Sequence, residues 1–449
     1  MRVSDLYAFV SQSDVSVSMA NDQRERIATL GLVSEIGSVL SALKKDILSK
    51  PKRDDAGWYL IRGELKEQLG DSIWYAVMLA QCLDDPRAAN IFKSDIEMLH
   101  RQLSGRARND KRVQEELGTE KRDAFLAAAS VYLEHSNQPI DLYQSTAFIT
   151  RRTEGDELRN VCAAVLQQLA AQISRDFLPN MEMALNHEVR PKDPVDALGE
   201  IIWHLSALAS VYDLKLSKII ALTQEKAKFR NPANEPGPRH DSKIDGERFP
   251  DKFEVHFRDN GKAQTEMFWV ENGSCKAKLG APLTDNDHKG DGYRFHDVMH
   301  VSFAVFLGWS PNLRAFMKLK RKSSPKLDEI EDGGRAKILE EAVILEVHLQ
   351  AELFETFFQE AGISIQGSPY AYPNALSFEF LRRLHELCKG HEVYGNPKQD
   401  WESAIREGYD CYHKLRDANG GIIAVDMVGK KISFRNFPED NNIDYDTEV

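Results

Sequence analysis

The densest set of chemistry-bearing side chains lies in TDNDHKGDGYRFHDVMHVSFAVFLGW, residues 284–309. His296 and His300 are four residues apart, so on a helix both imidazoles leave one face. Metal-dependent hydrolases use this spacing to grip zinc or another transition metal. Asp297 adjoins the pair, and His288 and Asp291 precede it on a predicted loop. The motif is not HExxH, because no Glu stands between the histidines. A partner helix is predicted over 336–358, AKILEEAVILEVHLQAELFETFF, where Glu341, His348, Glu352 and Glu355 fall near one stripe. A buried stripe of acids and a His among Ile344, Leu345, Leu349 and Leu353 is costly unless the groups are paired or hold a metal. Two such helices make a carboxylate–His site for a transition metal such as Zn²⁺ or Mn²⁺, with His296, Asp297, His300, Glu341 and His348 as ligands. The plainer alternative has the histidines hydrogen-bonded within an ordinary helix and the acids facing water. His385, His391 and His413 stand apart and are assigned surface or packing roles.

A different chemistry is suggested in the N-terminal half. Mg²⁺ takes oxygen ligands, and carboxylates three apart on one helix point the same way. Two such helices facing each other hold cations against substrate phosphates, where the metal activates water and neutralises the leaving pyrophosphate. The stretches GLVSEIGSVLSALKKD (31–46) and ELKEQLGDSIWY (64–75) place acids on two helices of strong apolar period.

In that pattern, in Leu-Gly-Asp and in the following Trp-Tyr, these segments resemble the MazG-type nucleoside-triphosphate pyrophosphohydrolases. Those all-α enzymes carry Glu-Glu-x-x-Glu on one helix and Glu-x-x-Asp on the next. The matching positions here are Ser34, Glu35 and Ser38, then Gln68 and Asp71, so two of the four acids in the paired sets are neutral. The resemblance implies Mg²⁺ on Glu35 and Asp71, with Glu67 completing the catalytic set and Glu64 and Asp196 as further helpers. Lys44 and Lys45 would meet phosphates, or else solvate a helix end. Trp74 would stack on a base, or else belong to the core. The implied activity is metal-dependent nucleotide hydrolysis, most simply of an NTP or dNTP to NMP and pyrophosphate. The alternative is a nucleotide-sensing, MazG-like pseudoenzyme that controls a C-terminal metal-dependent effector domain. The His296-Asp297 doublet is similar to that of HD-type phosphohydrolases, whose separated His and distal Asp have no obvious counterpart.

The elements that must position these residues are mainly α. Residues 1–232 read almost entirely as helix, with Lys50–Gly63 as a helix–helix connection and 95–125 as exposed helix or linker. ELKEQLGDSIWYAVML (64–79) and DPVDALGEIIWHLSAL (193–208) share Leu-Gly-acid, one variable residue and Ile-Trp, each behind a periodic helix. This is a degenerate internal repeat that would form a four-helix arrangement. The expected domains are a first MazG-like unit (1–94), a helical insertion or linker (95–150), a second unit (151–232) and an α+β domain (250–449) that resembles no familiar enzyme fold. The Pro- and Gly-rich stretch 231–250 marks the boundary before the last. In that domain, strands at Phe253–Phe257 and Thr265–Val270, and at Ile422–Met427 and Lys431–Phe434, form two hairpins. Between them, helices are predicted at 293–308, 311–322, 336–361, 373–389 and 399–416, the last stopped by Gly420 and Gly421.

Formal net charge of −12 disfavours nucleic acid and anionic lipid as partners, and the MazG resemblance implies a nucleotide as the ligand. The basic cluster Lys318, Lys320, Arg321 and Lys322, soon followed by acids, reads as solvated surface. Five scattered cysteines without a CxxC pair suit a reducing cytoplasm. No segment is read as a membrane span. A homo-oligomer is expected, as such helical units commonly associate.

Overall fold

Apolar residues at helical spacing make the N-terminal half a set of long amphipathic helices whose stripes meet. The structure, a computed structural model, describes residues 1–449 apart from 54–55, 105–116, 180–191, 231–236, 289, 366, 373–374, 440–442 and 446–449, and apart from the Arg230 side chain. The chain divides into two compact units, Met1–Lys228 and Phe229–Val449.

In the first unit, α1 (Val3–Ser13), α2 (Asn21–Ser49), α3 (Ala56–Cys82), α4 (Ile91–Leu103), α5 (Thr119–Leu133), α6 (Ile140–Phe148), α7 (Gly155–Phe177), α8 (Pro194–Val211) and α9 (Leu216–Arg230) follow one another. The hairpins α2–α3 and α7–α8 pack together through α2 against α7 and α3 against α8. Asp193 caps α8 by accepting from the Val195 and Asp196 amides, with Pro194 at the first helical position. The expected connection at 50–63 is shorter than predicted, because α3 begins at Ala56 and buries Trp58 and Ile61. The described parts of 95–125 are not an exposed linker. Helix α4 buries Phe92, Asp95 and Ile96 and packs on α8, and α5 buries Phe125. Helix α2 passes a length-and-composition test for crossing a membrane, but its Leu32, Ile36, Val39 and Leu43 are buried in the core of this unit, as in an ordinary core helix.

The repeat is also a repeat of packing. Gly70 and Gly199 are both buried where another helix comes close. A Cβ on Gly70 would lie 2.3 Å from Thr223 Oγ1 and 3.2 Å from Ile219 on α9; one on Gly199 would lie 3.2 Å from Asp95 on α4. Both tryptophans are half-buried. Trp74 donates to the Ser13 hydroxyl at 2.8 Å, and Trp203 to Thr150 Oγ1 at 2.9 Å.

In the second unit, β1 (Lys252–Asp259), β2 (Thr265–Glu271), β3 (Ser274–Leu283), β4 (Gly420–Asp426) and β5 (Lys431–Arg435) form one antiparallel sheet in the order β3-β2-β1-β4-β5. Strand β1 is central, with Val255 opposite Trp269 on one side and Ile423 on the other. Strand β3 had no counterpart in the predicted elements; its largely exposed positions lack a clear apolar alternation. The helices are α10 (Val298–Phe306), α11 (Pro311–Phe316), α12 (Pro325–Ile330), α13 (Gly334–Glu360), α14 (Phe378–Leu387) and α15 (Lys398–Ala418). The helix expected over 293–308 is split: Tyr293–Phe295 is a 3₁₀ turn and α10 starts at Val298. Asn419, in the left-handed region at φ 53°, ends α15, and the two glycines expected to do so open β4. Gly408 lets α15 approach α10, since a Cβ there would lie 2.8 Å from both Met299 Sδ and Ser302 Cβ. The basic cluster is only partly surface: Arg321 is buried and pairs with Asp332 at 2.7 Å and Glu392 at 2.6 Å.

Gly70→Val forces the α3–α9 contact apart, and overpacking of this kind costs about 1–3 kcal/mol. Urea unfolding of the variant should show that loss, and adding Thr223→Ala should recover part of it. An unchanged midpoint would mean that α9 does not pack at Gly70.

Candidate functional site

The second unit gathers its polar groups where α10, α13 and the loop before α10 converge. His296 ends the 3₁₀ turn, Asp297 precedes α10 and His300 lies in its first turn. From α13, Glu341 closes the set. His296 Nε2 stands 3.4 Å from Asp297 Oδ1 and 3.6 Å from Glu341 Oε2. His300 Nε2 stands 3.6 Å from Asp297 Oδ1 and 3.2 Å from Glu341 Oε1. Ligands held ~2.1 Å from one tetrahedral ion are themselves ~3.4 Å apart, so these separations fit a cation between them. The donor set, two imidazoles and two carboxylates, suits Zn²⁺ or Mn²⁺ better than Ca²⁺.

The surroundings hold the set in place. The other ring nitrogen of His300 lies 2.8 Å from Glu340 Oε1, the kind of carboxylate–imidazole contact that orients metal-binding histidines. His296 Nδ1 lies 2.8 Å from the Tyr293 carbonyl, and the Tyr293 ring stacks on His296 at 4.2 Å. Burial alone would keep His300 neutral, but the charges and contacts of Glu340, Glu341 and Asp297 push its pKa well above the usual value. Burial would raise the Glu341 carboxyl, yet the two histidines hold it well below the usual carboxylate range. Asp297 goes the other way, raised by burial.

Of the predicted ligands, His296, Asp297, His300 and Glu341 come together. His348 does not join them. Its Nε2 lies 3.7 Å from both Asp291 Oδ2 and Glu352 Oε1, in a separate group. Glu355 instead faces His413 at 3.4 Å, His385 stacks on Tyr394, and His288 is exposed. Leu345, Leu349 and Leu353, expected to bury the α13 stripe, are exposed; Ile344, Val347 and Ala351 do so. Sequence reasoning missed Glu340, which is fully buried, although the doublet Glu340-Glu341 was a signal that two neighbouring acids face different partners.

The N-terminal acids are placed differently. Glu35 lies half-buried on α2, and Glu67 and Asp71 lie on α3, which packs against it. Lys226 of α9 reaches both α3 acids, donating to Glu67 Oε1 at 3.0 Å and to Asp71 Oδ2. In the second copy Lys192 pairs with Glu200, the counterpart of Asp71. Glu64 pairs with Lys45 at 2.6 Å and Asp196 with Arg87 at 3.2 Å, while Lys44 is exposed.

Beside the second copy is a cavity of about 670 Å³ that the sequence did not foretell. Met98, Leu99 and Val165 give it apolar walls, and Asp95, Lys192 and His204 line it with polar groups. Asp95 Oδ2 accepts from the Tyr143 hydroxyl at 2.7 Å, while Oδ1 has no hydrogen-bond partner among the described residues. Burial raises its carboxyl to about 7, whereas an unfolded Asp ionises near ~3.9. Between those values the folded chain keeps a proton that the unfolded chain has released, so this group lowers stability as pH rises. Asn cannot ionise and can still accept from Tyr143. Asp95→Asn should therefore gain stability relative to the parent as pH is raised from about 5 to about 7.5. A pH-independent difference in urea midpoint would refute this account of Asp95.

Residues 235–438 match the family model described as the MazG C-terminal domain. No curated protein and no solved structure matches the chain. The His296–Asp297–His300–Glu341 cluster thus lies inside the stretch similar to the MazG C-terminal domain, in the half where the sequence had suggested no family.

Proposed function

We propose that the chain is a metal-dependent nucleotide hydrolase whose reacting centre is the His296–Asp297–His300–Glu341 cluster. The observation that carries this reading is the grouping of His296, Asp297 and His300, whose ligand atoms lie within 4.8 Å of one another, with Glu341 reaching His296 at 3.6 Å and His300 at 3.2 Å through its two oxygens. A bound divalent cation supplies charge neutralisation at a phosphate and lowers the pKa of water. The chain's own groups do the rest. Glu340 fixes the His300 ring, and Tyr293 fixes the plane of His296. Glu341, partly open to solvent, stays ionised beside the two histidines and holds its charge toward the site.

A second reading concerns the N-terminal unit, and Lys226 favours it. With Glu67 and Asp71 both engaged by one ammonium group, this unit would sense nucleotide without hydrolysing it, leaving chemistry to the C-terminal domain. The pyrophosphohydrolase set of Glu35, Glu67 and Asp71 with Mg²⁺ would instead require Lys226 to leave those acids.

Full-length protein offered a panel of NTPs and dNTPs with Mg²⁺, Mn²⁺ or Zn²⁺ should release pyrophosphate or phosphate and stop with chelator. Asp297→Asn and His300→Ala should each cut turnover by about 100-fold or more, as loss of a metal ligand does. Asp71→Asn should leave it within a few-fold. The reverse pattern would place the chemistry in the N-terminal unit, and an inert panel would remove the hydrolase reading.

A further inference from the structure

Beside the first cluster, a second group of side chains meets the same spatial conditions. His348 sits mid-way along α13 with its side chain 8% exposed. Its Nδ1 is in contact with the Tyr409 hydroxyl at 3.2 Å, which leaves Nε2 to find a partner elsewhere. Among the described residues Nε2 has no hydrogen-bond partner. Two carboxylate oxygens, Asp291 Oδ2 and Glu352 Oε1, face it at 3.7 Å, too far for hydrogen bonds. All three ligand atoms lie within 4.8 Å of one another. A buried imidazole nitrogen left without a hydrogen bond is unfavourable unless something else satisfies it.

We propose that Asp291, His348 and Glu352 form a second divalent-cation site, separate from the His296 cluster and suited to Mn²⁺ or Zn²⁺. Charge supports the assignment. Among the described residues no lysine or arginine pairs with Asp291 or Glu352, and nearby Glu355 is already engaged by His413 and Arg416. The loop is held ready: Asp291 Oδ1 accepts from the Tyr293 amide at 2.8 Å, and the Asp291 carbonyl accepts from the Tyr412 hydroxyl at 3.3 Å. The site also differs from a bridged two-metal pair, in which ions stand ~3.5–4 Å apart on shared ligands. Tyr293 lies between the two groups, stacked on His296 and edge-on to His348 at 4.9 Å. The ligands here are one imidazole and two half-exposed carboxylates, so a cation would keep positions open to solution. Those positions suit the phosphate oxygens of a nucleotide. This anchoring role rests on the hydrolase reading, whereas the binding of a cation does not.

The test is Mn²⁺ binding to the full chain, followed by calorimetry and by the EPR signal of free Mn²⁺. The parent should bind two ions. Glu352→Gln, a half-exposed change that spares the fold, should weaken one of them at least tenfold and leave the other unchanged. His348→Ala should do the same, and Asp297→Asn should weaken only the other. If Glu352→Gln and His348→Ala both leave stoichiometry and affinity as in the parent, the second site is refuted. If Asp297→Asn has no effect while Glu352→Gln abolishes the only ion bound, the second site stands and the first cluster loses its metal.

Discussion

The second unit is organised around one buried carboxylate. Glu340 has no solvent exposure, and a carboxylate cannot be left there alone; stripping a partner from a buried charge costs about 3–5 kcal/mol. Its oxygens are met from three directions: the Ser310 hydroxyl at 2.6 Å, the Asn312 amide and side chain at 2.9 and 3.0 Å, and His300 Nδ1 at 2.8 Å. Ser310 caps α11 as well, so satisfying Glu340 fixes α10, α11 and α13 relative to one another. His300 Nδ1 stands against Glu340, and its Nε2 faces Asp297 at 3.6 Å and Glu341 at 3.2 Å.

The same economy governs the tyrosines behind the site. Tyr409 and Tyr412 pack against each other at 4.9 Å and both contact His348, while Gly408 admits the close approach of α10. These buried rings back His348, which with Glu352 faces Asp291 of the loop before the 3₁₀ turn. On the opposite side α13 exposes Leu345, Leu349, Leu353 and Phe357. The helix therefore buries Glu340 and His348 within an inner stripe of Val343, Ile344, Val347 and Ala351 and leaves a row of larger apolar side chains outside.

Much of this was legible because it depends on local spacing. The His296/His300 pair, Asp297 and Glu341 were found by helical period alone, and the mainly α N-terminal half and α+β C-terminal half follow from apolar pattern. The rest depended on long-range choices. Periodicity assigns a stripe but not which side of it is buried, so the outward Leu345, Leu349 and Leu353 were misplaced and Glu340 was overlooked. His348 is seven residues beyond Glu341, two turns along the helix, and that distance along the axis carries it to a different loop residue, Asp291. The roles of Gly70 and Gly199 and the cavity beside Asp95 arise only when α9 and α4 pack, which no single segment encodes. The MazG resemblance was read in the N-terminal half, whereas the family match covers 235–438.

Why lysines hold the repeat's acids follows from counting charge. A helix interface carrying four carboxylates needs a divalent cation or more to be stable, and that is what the MazG pattern implies. With Ser38 and Gln68 in place of two acids, the negative charge near Asp71 is reduced, and one ammonium offsets part of what remains. Lys226 supplies it from α9, tied to Glu67 and Asp71 together. In the second copy, where Ala197 stands at the position of Gln68, Lys192 supplies it to Glu200. Among the described residues the His296 cluster has no such lysine as an ion-pair partner: Asp297 and Glu341 face the imidazoles of His296 and His300, and burial works against both carboxylates. Without a bound ion it is the His300 imidazolium, raised by Glu340, Glu341 and Asp297, that balances these acids, and a divalent ion would take its place by displacing that proton.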